Sequence, residues 1–108
     1  MSEPKLVRAR IPDIIREAGA EPITYVASDR EYRTRLLAKL QEETSELAVA
    51  FFAESPERVA EEAADVLEVV RALAAYLGVD AEQLEKIRAA KALERGGFAD
   101  RIVWCGNQ

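Results

Sequence analysis

The sequence predicts a mainly α-helical protein built on an antiparallel helical hairpin with a third helix. Alanine, leucine and glutamate are abundant while aromatic residues make up only 6% of the 108 residues, a composition that favours helix. Apolar residues recur at helical spacing over residues 36–51 and 59–77. The break between these stretches is Ser55-Pro56, which is short enough to require a chain reversal. The length suits a single domain, residues 1–108.

Three helices are bounded by capping residues. Ser28 with Glu31 has the spacing of a capping box and opens a first long helix over residues 29–54. The second follows Ser55 over residues 56–77, since Pro56 suits a first turn and Gly78 a stop. The third opens with the pair Asp80 and Gln83 and ends at Arg95.

The remaining segments lie near the two ends. Pro12 and Gly19 bound a short amphipathic helical stretch. Residues 23–27 (ITYVA) and 101–105 (RIVWC) are rich in β-branched side chains and predict a small two-stranded ribbon. Such a ribbon would need the helices beneath it for stability.

Composition excludes several kinds of function. The net charge of -5 argues against nucleic acid as the main partner, and no apolar run approaches the ~20 residues of a membrane span. Cys105 is the one cysteine, so no internal disulfide forms and a cytoplasmic location is expected. The chain has no histidine, which excludes imidazole bases and His-ligated zinc.

Four acidic residues interrupt the apolar stripes of the two long helices. Within residues 39–47 (KLQEETSEL), Glu43 lies at the edge of the stripe and Glu46 lies beside it. On the second helix, Glu62 falls inside the stripe and Asp65 lies beside it. Glu43 and Asp65 are equally far from position 54, as are Glu46 and Glu62, so each pair should meet across the hairpin.

Two interpretations of these acids remain open on spacing alone. Unless they protonate, four carboxylates in a partly apolar groove would cost several kcal/mol. A hard divalent cation such as Mg²⁺ would remove that cost. Alternatively, the four acids lie on solvated helix faces, where Lys39–Glu43 and Arg58–Glu62 would be surface ion pairs.

The acid pattern and two flanking segments resemble the MazG-like all-α NTP pyrophosphatases, relatives of phosphoribosyl-ATP pyrophosphohydrolase. That family carries an acid pair three residues apart after a Lys-Leu, then Glu-x-x-Asp on the next helix. One branch begins with a KLVRDKIP-type sequence and ends in ERGGF; this chain has KLVRARIP at residues 5–12 and ERGGF at 94–98. Ala9 stands where that branch usually has Asp.

The resemblance implies Mg²⁺-dependent hydrolysis of a nucleoside triphosphate to the monophosphate and pyrophosphate, with Mn²⁺ as a substitute ion. The implied metal ligands are Glu43, Glu46, Glu62 and Asp65. Glu43 or Glu46 would be the catalytic base, with Glu42 behind them. A triphosphate also needs cations, and the candidates for substrate binding are Lys39, Lys91, Arg95, Lys5 and Arg8, each of which is alternatively a solvated surface charge.

Apolar residues outside the stripes predict self-association. Val49, Phe52, Leu67 and Val69 leave both long helices apolar on more than one side. We expect a homodimer or higher homo-oligomer in which two hairpins form a core like a four-helix bundle.

Three functions are consistent with the sequence. The first is a house-cleaning pyrophosphatase for non-standard nucleotides, which the KLVRARIP and ERGGF segments favour. The second is a phosphoribosyl-ATP pyrophosphohydrolase of histidine biosynthesis. The third is a non-catalytic helical interaction module whose acids are merely exposed.

Overall fold

A computed structural model describes residues 3–108 of the protein. Within them it contains four helices and no strand: α1 (Ile11–Glu17), α2 (Asp29–Phe52), α3 (Pro56–Tyr76) and α4 (Ala81–Arg95). The mainly α fold is confirmed, and the boundaries of the three longer helices lie within two residues of those predicted.

Side-chain caps fix where these helices begin. The Oγ of Ser28 accepts a hydrogen bond from the backbone N–H of Glu31 at 3.2 Å, and Asp80 accepts one from the N–H of Gln83 at 2.8 Å. Each bond satisfies a donor that has no partner inside the helix. Both predicted caps are therefore present.

A short turn reverses the chain between α2 and α3. Residues 53–55 make this connection, and Glu54 adopts a positive φ of 54°. The left-handed region is unfavourable for residues with a Cβ atom, so the reversal stores some backbone strain at this position. The two helices thereby form the predicted antiparallel hairpin.

The buried line of the hairpin differs in position from the predicted stripe. On α2 the buried residues are Leu36, Glu43 and Ala50, which follow one another at intervals of seven residues, or two helical turns. Glu43 therefore lies in the centre of the buried line, whereas the sequence placed it at the edge. The leucine pattern was misleading because an acid and an alanine, rather than large apolar residues, occupy two of the three central positions.

Three apolar residues also differ from the predicted pattern. Phe51 and Leu77, the last residues of the two predicted apolar stripes, are 66% and 76% exposed. Val69, which was expected outside the stripes, is buried. Phe51 directly follows buried Ala50 and is therefore turned by about 100° from the buried line. Leu77 lies beyond the last residue of α3.

The predicted ribbon does not form. Residues 23–27 and 101–105 carry no strand, and the apolar side chains in them, including Ile23, Val26 and Ile102, are largely exposed. β-branched residues favour an extended backbone, but a strand also needs a partner strand and an apolar face to cover. In neither segment are the side chains covered.

Hydrogen bonds tie the segment before α1 to α2. The guanidinium of Arg35 donates to Glu31 at 2.6 Å and to the carbonyl oxygen of Pro4 at 2.8 Å. Tyr25 donates its hydroxyl hydrogen to the same Glu31 carboxylate at 2.6 Å. The Tyr25 bond, followed by the Arg35 bond, lowers the pKa of Glu31. This network fixes the start of the described chain near the hairpin.

The chain divides into two compact units, one ending at Leu73 and the other comprising Ala74–Gln108. The four acids and the basic segment at residues 5–10 belong to the first unit, and α4 belongs to the second. Over residues 3–108, no helix has both the length and the apolar character needed to cross a membrane.

Candidate metal centre

Three of the four predicted acids meet where α2 faces α3. Glu43, Glu62 and Asp65 each place one carboxylate oxygen within 4.8 Å of the others. Glu62 and Asp65 are one turn apart on α3, so both side chains lie on the side that faces α2. We call these three residues the acidic triad. The pairing of Glu43 with Asp65 across the hairpin is as the sequence predicted.

Burial distinguishes the triad from ordinary surface acids. Glu43 is only 7% exposed, and Glu62 and Asp65 are partly buried. One carboxylate oxygen of Glu43 and one of Glu62 are fully buried without a hydrogen-bond partner among the described residues. Leaving a buried, ionised carboxylate oxygen unpaired is costly, so these two oxygens favour a bound cation or a proton.

The electrostatic environment of Glu43 disfavours its ionised form. Burial raises the pKa of this carboxyl, and the negative charges of Glu46 and Asp65 raise it further. Lys39 acts in the opposite direction, but its Nζ lies 3.7 Å from Glu43 Oε1 and equally far from Glu42 Oε2. That distance is too long for a strong hydrogen bond. This shared ammonium therefore only partly compensates the charge of Glu43.

Arg8 contacts the triad from the N-terminal segment. Its Nη2 atom donates to Asp65 Oδ1 at 2.6 Å, across 57 positions of sequence. Arg8 was predicted as a substrate-binding residue, and the structure places it directly at one of the predicted metal ligands.

A groove of about 600 Å³ lies beside Asp65 on the surface of the first unit. Its lining residues are Arg8, Glu61, Ala64, Asp65, Leu67, Glu68 and Arg71. Arg71 was missed by the sequence analysis, although the face of α3 on which it lies was detectable from spacing. It lies three residues after Glu68 and seven after Ala64, which places all three on one face of α3.

The remaining predicted residues lie outside the triad. Glu46 is exposed one turn after Glu43, near enough for its charge to affect the Glu43 pKa but not within the 4.8 Å group. Lys5 is exposed before α1, and Lys91 and Arg95 are exposed on α4 in the second unit. Their roles in binding substrate stay predictions.

The chemistry of the triad fits a hard divalent cation. All its donors are carboxylate oxygens, the ligands that Mg²⁺ and Mn²⁺ prefer, and no sulfur or imidazole donor takes part. The two unpaired buried oxygens are the observation that favours a bound ion over a solvated acidic face. The oxygens of exposed acids would form hydrogen bonds with water and would not lack a partner.

Comparison with known proteins supplies the family. The profile of phosphoribosyl-ATP pyrophosphohydrolase matches residues 9–91, which include the whole triad. The chain belongs to this family. The family lies within the MazG-like all-α NTP pyrophosphatase superfamily, so the resemblance described above is confirmed.

Other comparisons add little about function. A protein of Mycolicibacterium smegmatis (strain ATCC 700084 / mc(2)155), named only as uncharacterized, is 50% identical over 46 residues. That stretch covers 43% of this chain and 47% of the relative, so the match spans about half of the relative's length. No solved structure matches the chain.

Proposed function

We propose that the protein hydrolyses a nucleoside triphosphate to the monophosphate and pyrophosphate, with Mg²⁺ bound by Glu43, Glu62 and Asp65. The observation that carries this proposal is the pair of buried, unpartnered oxygens on Glu43 and Glu62 within a triad 4.8 Å across. Family membership supports the reaction type. We further propose that the substrates are non-standard nucleotides, so that the protein removes them from the nucleotide pool, and that Mn²⁺ can replace Mg²⁺.

The acidic residues have two roles in this proposal. A bound cation would neutralise the phosphate oxygens and lower the pKa of a coordinated water. Glu43 and Glu62 hold one oxygen each within 4.8 Å of the other, because burial restricts their rotamers and α2 and α3 fix their backbones. Glu46 is exposed one turn from Glu43 and lies at the solvent side, where a carboxylate can accept a proton from the attacking water. It also supplies a further ligand if the site takes a second ion.

Cations around the triad suit the phosphate chain of a nucleotide. Arg8 and Arg71 both line the groove beside Asp65, and Lys39 lies between Glu42 and Glu43. A guanidinium binds phosphate oxygens in a bidentate manner, and an ammonium contributes a point charge. Lys5, in the same N-terminal segment as Arg8, is an additional candidate for the outer part of the substrate.

A second candidate substrate is phosphoribosyl-ATP, as in histidine biosynthesis. The family profile that matches residues 9–91 carries this name, and the reaction at the α–β phosphoanhydride bond would be the same. The triad does not distinguish the two substrates, because it contacts only the phosphates that they share.

A substrate panel tests the proposal and separates the alternatives. Pyrophosphate release should be measured with Mg²⁺ from standard triphosphates, non-standard triphosphates and phosphoribosyl-ATP. Preference for one class identifies the substrate, and the Glu62→Gln variant should lose activity with it. If wild-type protein releases no pyrophosphate from any member of the panel, the non-catalytic interaction module becomes the better account.

We also propose that the hairpin associates as a homodimer. Five large apolar residues on α2 and α3 are more than half exposed: Leu37, Val49, Phe51, Phe52 and Leu67. In contrast, the buried apolar residues in the described chain are only Leu36, Ala50 and Val69. A second hairpin covering the exposed side chains would form a core like a four-helix bundle. Sedimentation at micromolar concentration should give twice the monomer mass, and a monomer would refute the proposal.

A further inference from the structure

We propose that Arg8 exchanges partners at the acidic triad. It pairs with Asp65 until a divalent cation takes that carboxylate, and it then transfers to the phosphate chain of the substrate. This inference rests on the proposed function, and it gives Arg8 a role in coupling cation binding to substrate binding.

The contact between Arg8 and Asp65 is short but exposed. Nη2 lies 2.6 Å from Oδ1, and the two side chains are 56% and 42% exposed. Ion pairs with this degree of exposure contribute little net stability, because water and salt compete with both partners. The pair is therefore strong enough to orient Arg8 and weak enough to be broken by a competing ion.

A cation bound by the triad would be such a competitor. Asp65 places an oxygen within 4.8 Å of oxygens of Glu43 and Glu62, so an ion shared by all three carboxylates lies close to the Arg8 guanidinium. A divalent ion repels the guanidinium and binds the same carboxylate with twice the charge. Binding of the ion should thus shift Arg8 away from Asp65.

The groove gives the displaced side chain a place to go. Arg8 already lines this groove together with Arg71, directly beside Asp65. Phosphate oxygens bound to an ion on Asp65 would lie beside this groove, where the planar guanidinium is suited to bind them. The backbone need not move far, because Arg35 holds the carbonyl oxygen of Pro4 four residues earlier.

Trypsin provides a direct measure of whether the Arg8 side chain is free. The protease must accept the arginine side chain in its own pocket, so the bond between Arg8 and Ala9 is protected while Arg8 is held by Asp65. Its cleavage rate should be followed by mass spectrometry without divalent cation, with Mg²⁺, and with Mg²⁺ plus a triphosphate whose α–β bridge is an uncleavable methylene. Cleavage after Arg101, an exposed residue of the C-terminal tail, is the internal control in the same digest.

We expect Mg²⁺ to accelerate cleavage after Arg8 by about two- to fivefold, the factor that corresponds to loss of an exposed ion pair. The nucleotide analogue should slow it again, and cleavage after Arg101 should not follow this pattern. The Asp65→Asn variant, which retains the shape of the side chain, should be cleaved quickly after Arg8 with or without Mg²⁺. The control variant Glu57→Gln, an exposed acid on the same helix but outside the groove, should respond as wild type does.

The outcomes separate this inference from the proposed function. If Mg²⁺ raises the melting temperature but leaves cleavage after Arg8 unchanged or slower, the cation site stands and the exchange is refuted. If Asp65→Asn is cleaved no faster than wild type, the ion pair does not restrain Arg8 and the exchange is again refuted. If Mg²⁺ produces no thermal shift, both the cation site and the exchange are refuted.

Discussion

Replacing Glu43 by glutamine should stabilise the protein when no divalent cation is present. The substitution keeps the size of the side chain and has nearly the same helix propensity. It removes a negative charge that is 93% buried, close to two other carboxylates and only loosely paired with Lys39. Most substitutions of buried residues destabilise proteins, so an increase in stability would be a specific signature of the triad.

The distances give the size of the effect. Two unit charges 4.8 Å apart interact by about 3 kcal/mol at an effective dielectric constant of about 20. Glu43 is repelled by Glu62, by nearby Glu46 and by Asp65, whose charge Arg8 partly neutralises. The attraction of Lys39 at 3.7 Å offsets somewhat more than one full repulsion. After screening, we expect the free energy of unfolding to rise by roughly 1–3 kcal/mol in Glu43→Gln.

Urea denaturation at pH 7 in the presence of a chelator measures this change. The matched control is Glu42→Gln, because Glu42 is adjacent, exposed and equally distant from Lys39, at 3.7 Å, but lies outside the triad. It should change the free energy of unfolding by less than about 0.5 kcal/mol. If Glu43→Gln is less stable than wild type, or matches Glu42→Gln, the buried charge is not repelled and the reasoning fails.

Three further predictions concern pH and the helix boundaries. Because the pKa of Glu43 is raised above its usual 4.5, the folded chain keeps a proton that the unfolded chain has lost. Without cation, the free energy of unfolding of wild type minus that of Glu43→Gln should therefore fall as pH rises from about 4.5 towards neutrality. If urea titrations show the same difference at every pH, this prediction is wrong. At the hairpin turn, Glu54→Val should be less stable than Glu54→Gly by about 1 kcal/mol or more, since a β-branched residue resists positive φ; equal urea midpoints would argue against strain there. Asp80→Ala should remove the cap of α4 at a cost of about 1 kcal/mol, and hydrogen exchange at the Gln83 amide should accelerate.

The helices were predictable because their signals are local. Ser28 and Asp80 cap the helices that follow them, and Pro56 begins α3 as its fixed φ suggests. These interactions involve residues within one turn of each other, so the sequence alone contains them. The strands were wrongly predicted because strand formation, unlike helix capping, is not determined locally. A strand depends on distant partners, and residues 23–27 and 101–105 have a β-rich composition without such partners.

The candidate site was predictable in part. Equal spacing from the turn was sufficient to pair Glu43 with Asp65, because the hairpin has almost no loop. Equal spacing did not show that Glu62 would join the triad and Glu46 would not, because residues at equal heights can still lie on different sides of their helices. Glu62 joins the triad, whereas Glu46 is turned to solvent.

Two contacts of the site could not be obtained from spacing. Arg8 reaches Asp65 across 57 positions of sequence, and Arg71 joins the groove only once the N-terminal segment lies beside α3. Both depend on how residues 3–10 are held, partly through the bond from Arg35 to Pro4. The sequence identified the basic segment but gave no reason for Arg8 to contact one acid in particular.

Binding of Mn²⁺, followed by its electron paramagnetic resonance signal, tests the cation site most directly. The account predicts that wild-type protein removes the signal of free Mn²⁺ and that Mg²⁺ restores this signal by competition. Glu62→Gln should bind Mn²⁺ at least tenfold more weakly, the lower end of the change expected when a metal site loses a supporting carboxylate. Glu57→Gln, an exposed acid on the same helix, should bind as wild type does. Equal Mn²⁺ affinity in Glu62→Gln and wild type would contradict the claim that the acidic triad is a metal centre.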